Sequence, residues 1–129
     1  MPAALKVGLL GVGAIGQILA TALDAEPDRA VLAAIADQDR PRAETFAAQL
    51  KARPAVVEID ELVRRSDLII EAASQAALTE IVPRALRAQK DLMVMSVGAC
   101  WSMKNGLRKR RGKGAGFTFL RARLRGSMG

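Results

Sequence analysis

The run Gly11-Val12-Gly13-Ala14-Ile15-Gly16 decides the fold of this chain, because it lies between a strand pattern and a helix pattern. An apolar stretch at positions 7–10 precedes the run and predicts a buried strand. After it, apolar residues recur at helical spacing (Ile15, Ile18, Leu19, Ala22 and Leu23). A helix that starts directly after a glycine turn keeps its first N–H groups free, and such a start attracts a phosphate group.

Each glycine of this run has a predicted structural role. Gly11 permits the tight turn, Gly13 lets a phosphate approach the backbone, and Gly16 lets the helix pack close to the strand. The confirming signal is an acidic residue about 20 positions further on, at the end of a second strand. Positions 31–36 predict that strand, and Asp37 follows it. The pattern predicts a dinucleotide site in which Asp37 binds the adenosine ribose; the alternative is a βαβ unit with a solvent-facing Asp37.

The choice between NAD and its 2′-phosphate form, NADP, depends on charges near Asp37. The carboxylate of Asp37 would repel a 2′-phosphate, which favours NAD as the cofactor. Arg40 and Arg42 follow closely and are able to neutralise such a phosphate, so NADP stays possible. The alternative for both arginines is a solvated position on the next helix.

Length and composition limit the other functions. A chain of 129 residues is long enough for one domain. Its single cysteine, Cys100, excludes an intramolecular disulfide and a cysteine-cluster metal site, and there is no histidine. No secretory signal and no long apolar run occurs, so the sequence predicts a cytoplasmic protein without a membrane partner.

The net charge of +7 is unevenly distributed. Residues 1–99 carry all 13 acidic side chains and 11 of the 20 basic ones, a balance of −2. Residues 100–129 carry nine basic and no acidic side chains, a balance of +9. The charge therefore predicts a mildly acidic domain at 1–99 followed by a basic tail, rather than one basic nucleic-acid-binding domain.

Strand and helix patterns alternate through residues 1–99. This alternation predicts a Rossmann-type α/β fold, in which a parallel sheet has helices on both faces. Pro83 lies inside the apolar stripe at 78–86, which predicts a kink or two short helices there. Ser74 and Ser96 fit either a place in the cleft or helix capping and turns. Four strand ends are expected to meet at one edge of the sheet: 11–16, Asp37, 72–74 and 96–99.

Three motifs together resemble the N-terminal NAD-binding domain of L-aspartate dehydrogenase. They are the glycine run at 11–16, Glu71-Ala72-Ala73-Ser74-Gln75, and Val94-Met95-Ser96-Val97-Gly98-Ala99. The resemblance covers residues 5–99 and implies an NAD(P)-dependent oxidative deamination of L-aspartate to iminoaspartate, a reaction linked to NAD biosynthesis. It also implies a set of cofactor-binding residues: Gly11, Gly13, Ala14, Ile15 and Gly16 at the pyrophosphate, Asp37 at the ribose, and Ala73, Ser74 and Ala99 toward the nicotinamide.

The resemblance ends after Ala99. The family continues into a second domain that carries the catalytic histidine and the groups that hold aspartate, and this chain lacks it; we therefore expect no catalytic residue in the chain and no activity from it alone. Residues 100–129 hold six glycines and show no apolar period, which predicts an irregular or disordered tail. The tail is also compatible with a shifted reading frame, because skipping two bases yields a sequence that resembles the family's continuation. The alternative is a small cofactor- or nucleic-acid-binding module that uses the basic tail.

Overall fold

The computed structural model describes residues 4–95, 107–111 and 118–122. From β1 to β5, strands and helices alternate as the sequence predicts. The strands are β1 (Leu5–Leu10), β2 (Ala30–Ala36), β3 (Ala55–Val56), β4 (Leu68–Glu71), β5 (Asp91–Val94), β6 (Leu107–Arg111) and β7 (Thr118–Ala122). The helices are α1 (Ala14–Ala25), α2 (Arg40–Ala47), α3 (Ile59–Arg65) and α4 (Gln75–Arg87).

The strands form one sheet in the order β3-β2-β1-β4-β5-β7-β6. The first five strands are parallel to one another, whereas β7 is antiparallel to both β5 and β6. After β1 the chain adds β2 and β3 on one side, and then crosses to add β4 and β5 on the other. Ligands of such sheets bind at this switch point, outside the carboxyl ends of the central strands.

Helices cover both faces of the sheet, which confirms the predicted Rossmann-type architecture. On one face, α1 and α2 pack through a cluster that includes Leu9, Leu32 and Phe46. On the other face, α3 and α4 pack through a cluster that includes Ile69 and Ile81. Successive residues of a strand point to opposite faces, so a run buried on both sides is apolar throughout.

Pro83 lies inside α4, which is one helix from Gln75 to Arg87 and not two short ones. The side chain of Pro83 is exposed, while Leu78, Ile81, Val82 and Ala85 on the same helix are buried. Packing of this apolar stripe offsets the lost backbone hydrogen bond, whose cost is about 3 kcal/mol in a helix interior.

The basic tail contains two strands where the sequence predicts irregular structure. β7 pairs with β5, with Leu120 opposite Leu92, and β6 pairs with β7. The prediction relied on a missing apolar period, but strand pairing at a sheet edge also depends on main-chain hydrogen bonds with a neighbour. Ser96, Ala99, Cys100 and the predicted domain boundary at 99 lie outside the described residues.

Two kinds of feature are absent from the described residues. No helix there is long and apolar enough to cross a membrane. The same residues contain no group of three or more acidic, cysteine or histidine side chains that could hold a metal ion.

Candidate dinucleotide-binding cleft

The glycine turn after β1 is shaped by close backbone contacts. Gly11 has a φ of 105°, which side chains rarely permit. A Cβ atom at Gly11 would lie 2.9 Å from the carbonyl carbon and oxygen of Ala72 and from Cα of Ala73. A Cβ atom at Gly16 would lie 2.1 Å from the carbonyl oxygen of Gly11. Gly11 and Gly16 are therefore needed to bring the turn, α1 and the loop after β4 together.

Gly13 has a different environment. It is the N-cap residue of α1, and a Cβ atom built on it would meet none of the described residues within 4 Å. No side chain caps α1 and no acidic residue stands in its first turn, whereas Asp39 caps α2 and Ser74 caps α4. The space at Gly13 and the uncapped start of α1 fit a phosphate group, which binds through backbone N–H groups and the helix dipole.

Ala14 and Ile15 form the first turn of α1, and both are exposed. Ile15 is 51% exposed to solvent, and neither residue is among those that line the cleft. Their predicted part in cofactor binding is therefore limited to their backbone N–H groups, which belong to the first helical turn.

Asp37 lies at the carboxyl end of β2 and points back to the glycine turn. Its Oδ2 atom accepts a hydrogen bond of 2.7 Å from the backbone N–H of Val12, and its Oδ1 atom accepts one of 2.7 Å from Asp39. The guanidinium of Arg42 contacts both oxygens, at 3.1 and 3.3 Å. Burial acts to raise the pKa of Asp37, but these hydrogen bonds outweigh it and hold the pKa below its ordinary value. The side chain is thus an ionised group that holds the turn in place.

The loop after β4 forms the opposite wall. Glu71 is completely buried, and its Oε2 atom accepts a hydrogen bond of 2.8 Å from the backbone N–H of Ala73. Ser74 caps α4, because its hydroxyl oxygen accepts a hydrogen bond of 3.1 Å from Ala77. Both uses that the sequence left open for Ser74 therefore occur at one place: it caps the helix and it lines the cleft.

These elements enclose a cleft of about 440 Å³ at the carboxyl ends of β1 and β2 and the start of α4. The structure brings Gly11, Gly13, Asp37, Ala73 and Ser74 together on its wall. Sequence reasoning missed the wall between β2 and α4, which is formed by Gln38, Val57, Glu58, Ile59, Ala76, Ala77 and Glu80. Of these, Val57 and Ile59 follow β3, the shortest strand, which only a short apolar run marks in the sequence.

The chain is similar to curated proteins over most of its length. It is 44% identical over 94 residues to an L-aspartate dehydrogenase of Methanocella arvoryzae, a match that covers 73% of this chain and 35% of the relative. It is 37% identical over 108 residues to an L-aspartate dehydrogenase of Methanocaldococcus jannaschii, covering 82% of this chain and 40% of that one. The chain thus spans little more than a third of the length of these relatives.

Solved structures show the same fold. A probable dehydrogenase from Thermotoga maritima is 29% identical with a TM-score of 0.61, over 68% of this chain and 27% of that one. A myo-inositol dehydrogenase from Lactobacillus casei, solved with NAD(H) and myo-inositol, is 24% identical with a TM-score of 0.63, over 69% and 27% of the two chains.

A family model covers most of the chain. The model described as "Homoserine dehydrogenase, NAD binding domain" matches residues 11–113, which include the glycine turn, Asp37 and the loop after β4. The match starts at the first glycine of the turn and extends past the boundary at 99 that the sequence predicted. The two curated relatives described above are L-aspartate dehydrogenases. This chain therefore belongs to the family of homoserine dehydrogenase-type NAD-binding domains.

Proposed function

We propose that this chain is the NAD(P)-binding part of an oxidoreductase of L-aspartate dehydrogenase type. The observation that carries the proposal is the cleft, in which an open glycine and an uncapped helix start lie opposite the loop after β4. The family match and the names of the curated relatives support it. The proposed cofactor is NAD, because the ionised Asp37 at the end of β2 disfavours a second negative charge at the ribose.

Each cleft residue has a proposed part in cofactor binding. The backbone N–H groups at the start of α1, at Ala14, Ile15 and Gly16, would bind the pyrophosphate beside Gly13. Asp37 would accept hydrogen bonds from the adenosine ribose. Ala73 and Ser74 would line the side toward the nicotinamide, and we propose the same for Ala99 from its position in the sequence.

The proposed reaction is the oxidative deamination of L-aspartate. Bound nicotinamide supplies the hydride acceptor, and the products are iminoaspartate and, after hydrolysis, oxaloacetate and ammonia. The iminoaspartate would link the enzyme to NAD biosynthesis. The described residues supply walls for a dinucleotide, and the chain contains no histidine to move the substrate's proton. We therefore propose that this chain binds the cofactor without turning over aspartate on its own.

Titration of the full chain with NAD tests the proposal. Gly13→Asp places a carboxylate in the open space at the start of α1, so we expect the Kd for NAD to rise at least about tenfold by charge repulsion. Unfolding by urea should stay close to that of the unmodified chain, because no atom of residues 4–95 lies within 4 Å of the added Cβ.

Thr21→Asp is the matched control. It adds the same charge to the same helix at an exposed position away from the cleft, and we expect no change in the Kd. An unmodified chain that does not bind NAD, or a Gly13→Asp variant that binds it as well as the control does, contradicts the proposed function.

A further inference from the structure

Glu71, the last residue of β4, places a carboxyl group in an apolar row of the sheet. Its register neighbours are Leu10 on β1 and Val94 on β5, and both are buried. Among the residues that the structure describes, Glu71 is the only ionisable one that is completely buried. Burying a polar group costs free energy unless hydrogen bonds satisfy it, whereas burying an apolar side chain is favourable. A carboxyl group at this place therefore indicates a role other than packing.

The three residues that follow Glu71 each take part in a hydrogen bond. The backbone N–H of Ala72 donates to the carbonyl oxygen of Leu10 at 2.8 Å, and that of Ala73 donates to Oε2 of Glu71 at 2.8 Å. Ser74 caps α4. Ala73 lies beyond the end of β4, so the side chain of Glu71 supplies the acceptor that the neighbouring strand supplies to Ala72.

The two walls of the cleft have separate anchors. The glycine turn is held from β2, because the backbone N–H of Val12 donates to Asp37 at 2.7 Å. The loop after β4 is held by Glu71 through the backbone N–H of Ala73. Ala72 and Ala73 line the cleft, whereas Glu71 is not among the lining residues. Glu71 therefore acts on the cleft through the loop and not by direct contact.

We propose that Glu71 is a positioning residue for the cofactor: its carboxyl group fixes the backbone N–H of Ala73, and with it the wall of the cleft on the side of the nicotinamide. This inference rests on the proposed function. A loop that is held in place before binding loses less conformational freedom when the cofactor binds, so the affinity is higher. Without this hydrogen bond, part of the binding free energy is needed to order the loop.

The competing explanation is that Glu71 serves the fold alone. In that case, a substitution lowers the stability of the whole domain, and the backbone amides of Val12 and Ala73 become accessible to exchange with solvent alike. A positioning residue predicts a local effect instead. The amide of Ala73 exchanges faster, the amide of Val12 stays protected by Asp37, and the affinity for NAD falls.

Hydrogen–deuterium exchange followed by NMR and titration with NAD, both on the full chain, separate these outcomes. Glu71→Leu keeps a buried side chain and removes the acceptor. We expect the amide of Ala73 to exchange about tenfold faster relative to that of Val12, and the Kd for NAD to rise about tenfold. Glu71→Gln keeps an oxygen that accepts less strongly than a carboxylate, so both effects should be about threefold. This second variant decides the question if Glu71→Leu does not fold.

Ile69→Val is the matched control, because Ile69 is buried on the same strand and the same face, two residues before Glu71. It should lower stability but leave the Kd for NAD and the relative exchange of Ala73 and Val12 unchanged. This inference alone is overturned by an Ala73 amide that exchanges no faster relative to Val12 in the Glu71 variants, or by faster exchange with an unchanged Kd. An unmodified chain that does not bind NAD overturns the proposed function instead.

Discussion

Gly8, in the middle of β1, shows how a single residue sets the distance between a helix and the sheet. A Cβ atom there would lie 2.0 Å from Oγ of Ser66 and 3.0 Å from Cδ1 of Leu62. Ser66 is buried and its hydroxyl donates to the carbonyl oxygen of Leu62 at 2.6 Å, so it has little freedom to move. Glycine at position 8 therefore lets the end of α3 pack directly on β1.

We predict that Gly8→Ala lowers the free energy of unfolding by about 1–3 kcal/mol, the usual cost of overpacking a core. Urea unfolding followed by circular dichroism measures the change. Gly13→Ala is the control, since its Cβ would meet no atom within 4 Å in the part of the chain that the structure describes, and its φ of −75° suits any residue. Equal stability of the two variants would show that α3 is able to move away from β1 at little cost.

Residues at the cleft were predictable from sequence where one backbone constraint determines one residue type. Gly11, Gly13 and Asp37 line the cleft as the motif and its spacing indicated. The hydrogen bond from Val12 to Asp37 was not predictable, because it joins residues 25 positions apart and depends on how closely β1 and β2 approach.

At the scale of elements, Ser74 lies at the start of α4, where a side chain can cap the helix, contact the cofactor, or do both. Its hydroxyl accepts a hydrogen bond from Ala77, and it also lines the cleft. We predict that Ser74→Ala lowers the free energy of unfolding by about 1 kcal/mol through the lost cap. Ser74→Thr keeps the hydroxyl, so its free energy of unfolding should fall much less.

The NAD affinity of the same two variants shows whether Ser74 also contacts the cofactor. If Ser74 also contacts the cofactor as proposed, the Kd for NAD should rise in Ser74→Ala after the fraction of unfolded protein is taken into account. An unchanged Kd together with the lower stability would restrict Ser74 to capping.

Elements were predictable where packing and local preference agree. The strand before the glycine turn, the helix after it and the strand predicted at 31–36 each matched an observed element. α4 differs because the local preference of Pro83 opposes a helix, while four buried side chains on the same stripe favour one. The strands in the tail differ because their order depends on a neighbouring strand, which composition alone does not reveal.

At the scale of the whole molecule, the chain combines a mildly acidic domain with a strongly basic segment that adds two strands to the sheet. β7 lies against β5, with Leu120 opposite Leu92, and so covers an edge that would otherwise be open. The cleft lies at the switch point, where β1, β2, the loop after β4 and the start of α4 meet. β5 therefore separates the tail strands from the strands whose loops line the cleft.

This separation predicts that deleting residues 100–129 lowers stability but leaves the Kd for NAD unchanged. The deletion removes the partner of β5, so main-chain groups of β5 lose their hydrogen bonds with β7. It also removes the +9 charge balance, so weak and salt-sensitive binding of the chain to RNA should disappear. Urea unfolding, NAD titration and gel shifts at low and high salt measure the three effects.

Two results would contradict this prediction. A loss of NAD affinity in a truncated chain that is still folded would place part of the cofactor site in the tail. RNA binding that persists at high salt in the full chain would support the alternative of a nucleic-acid-binding module.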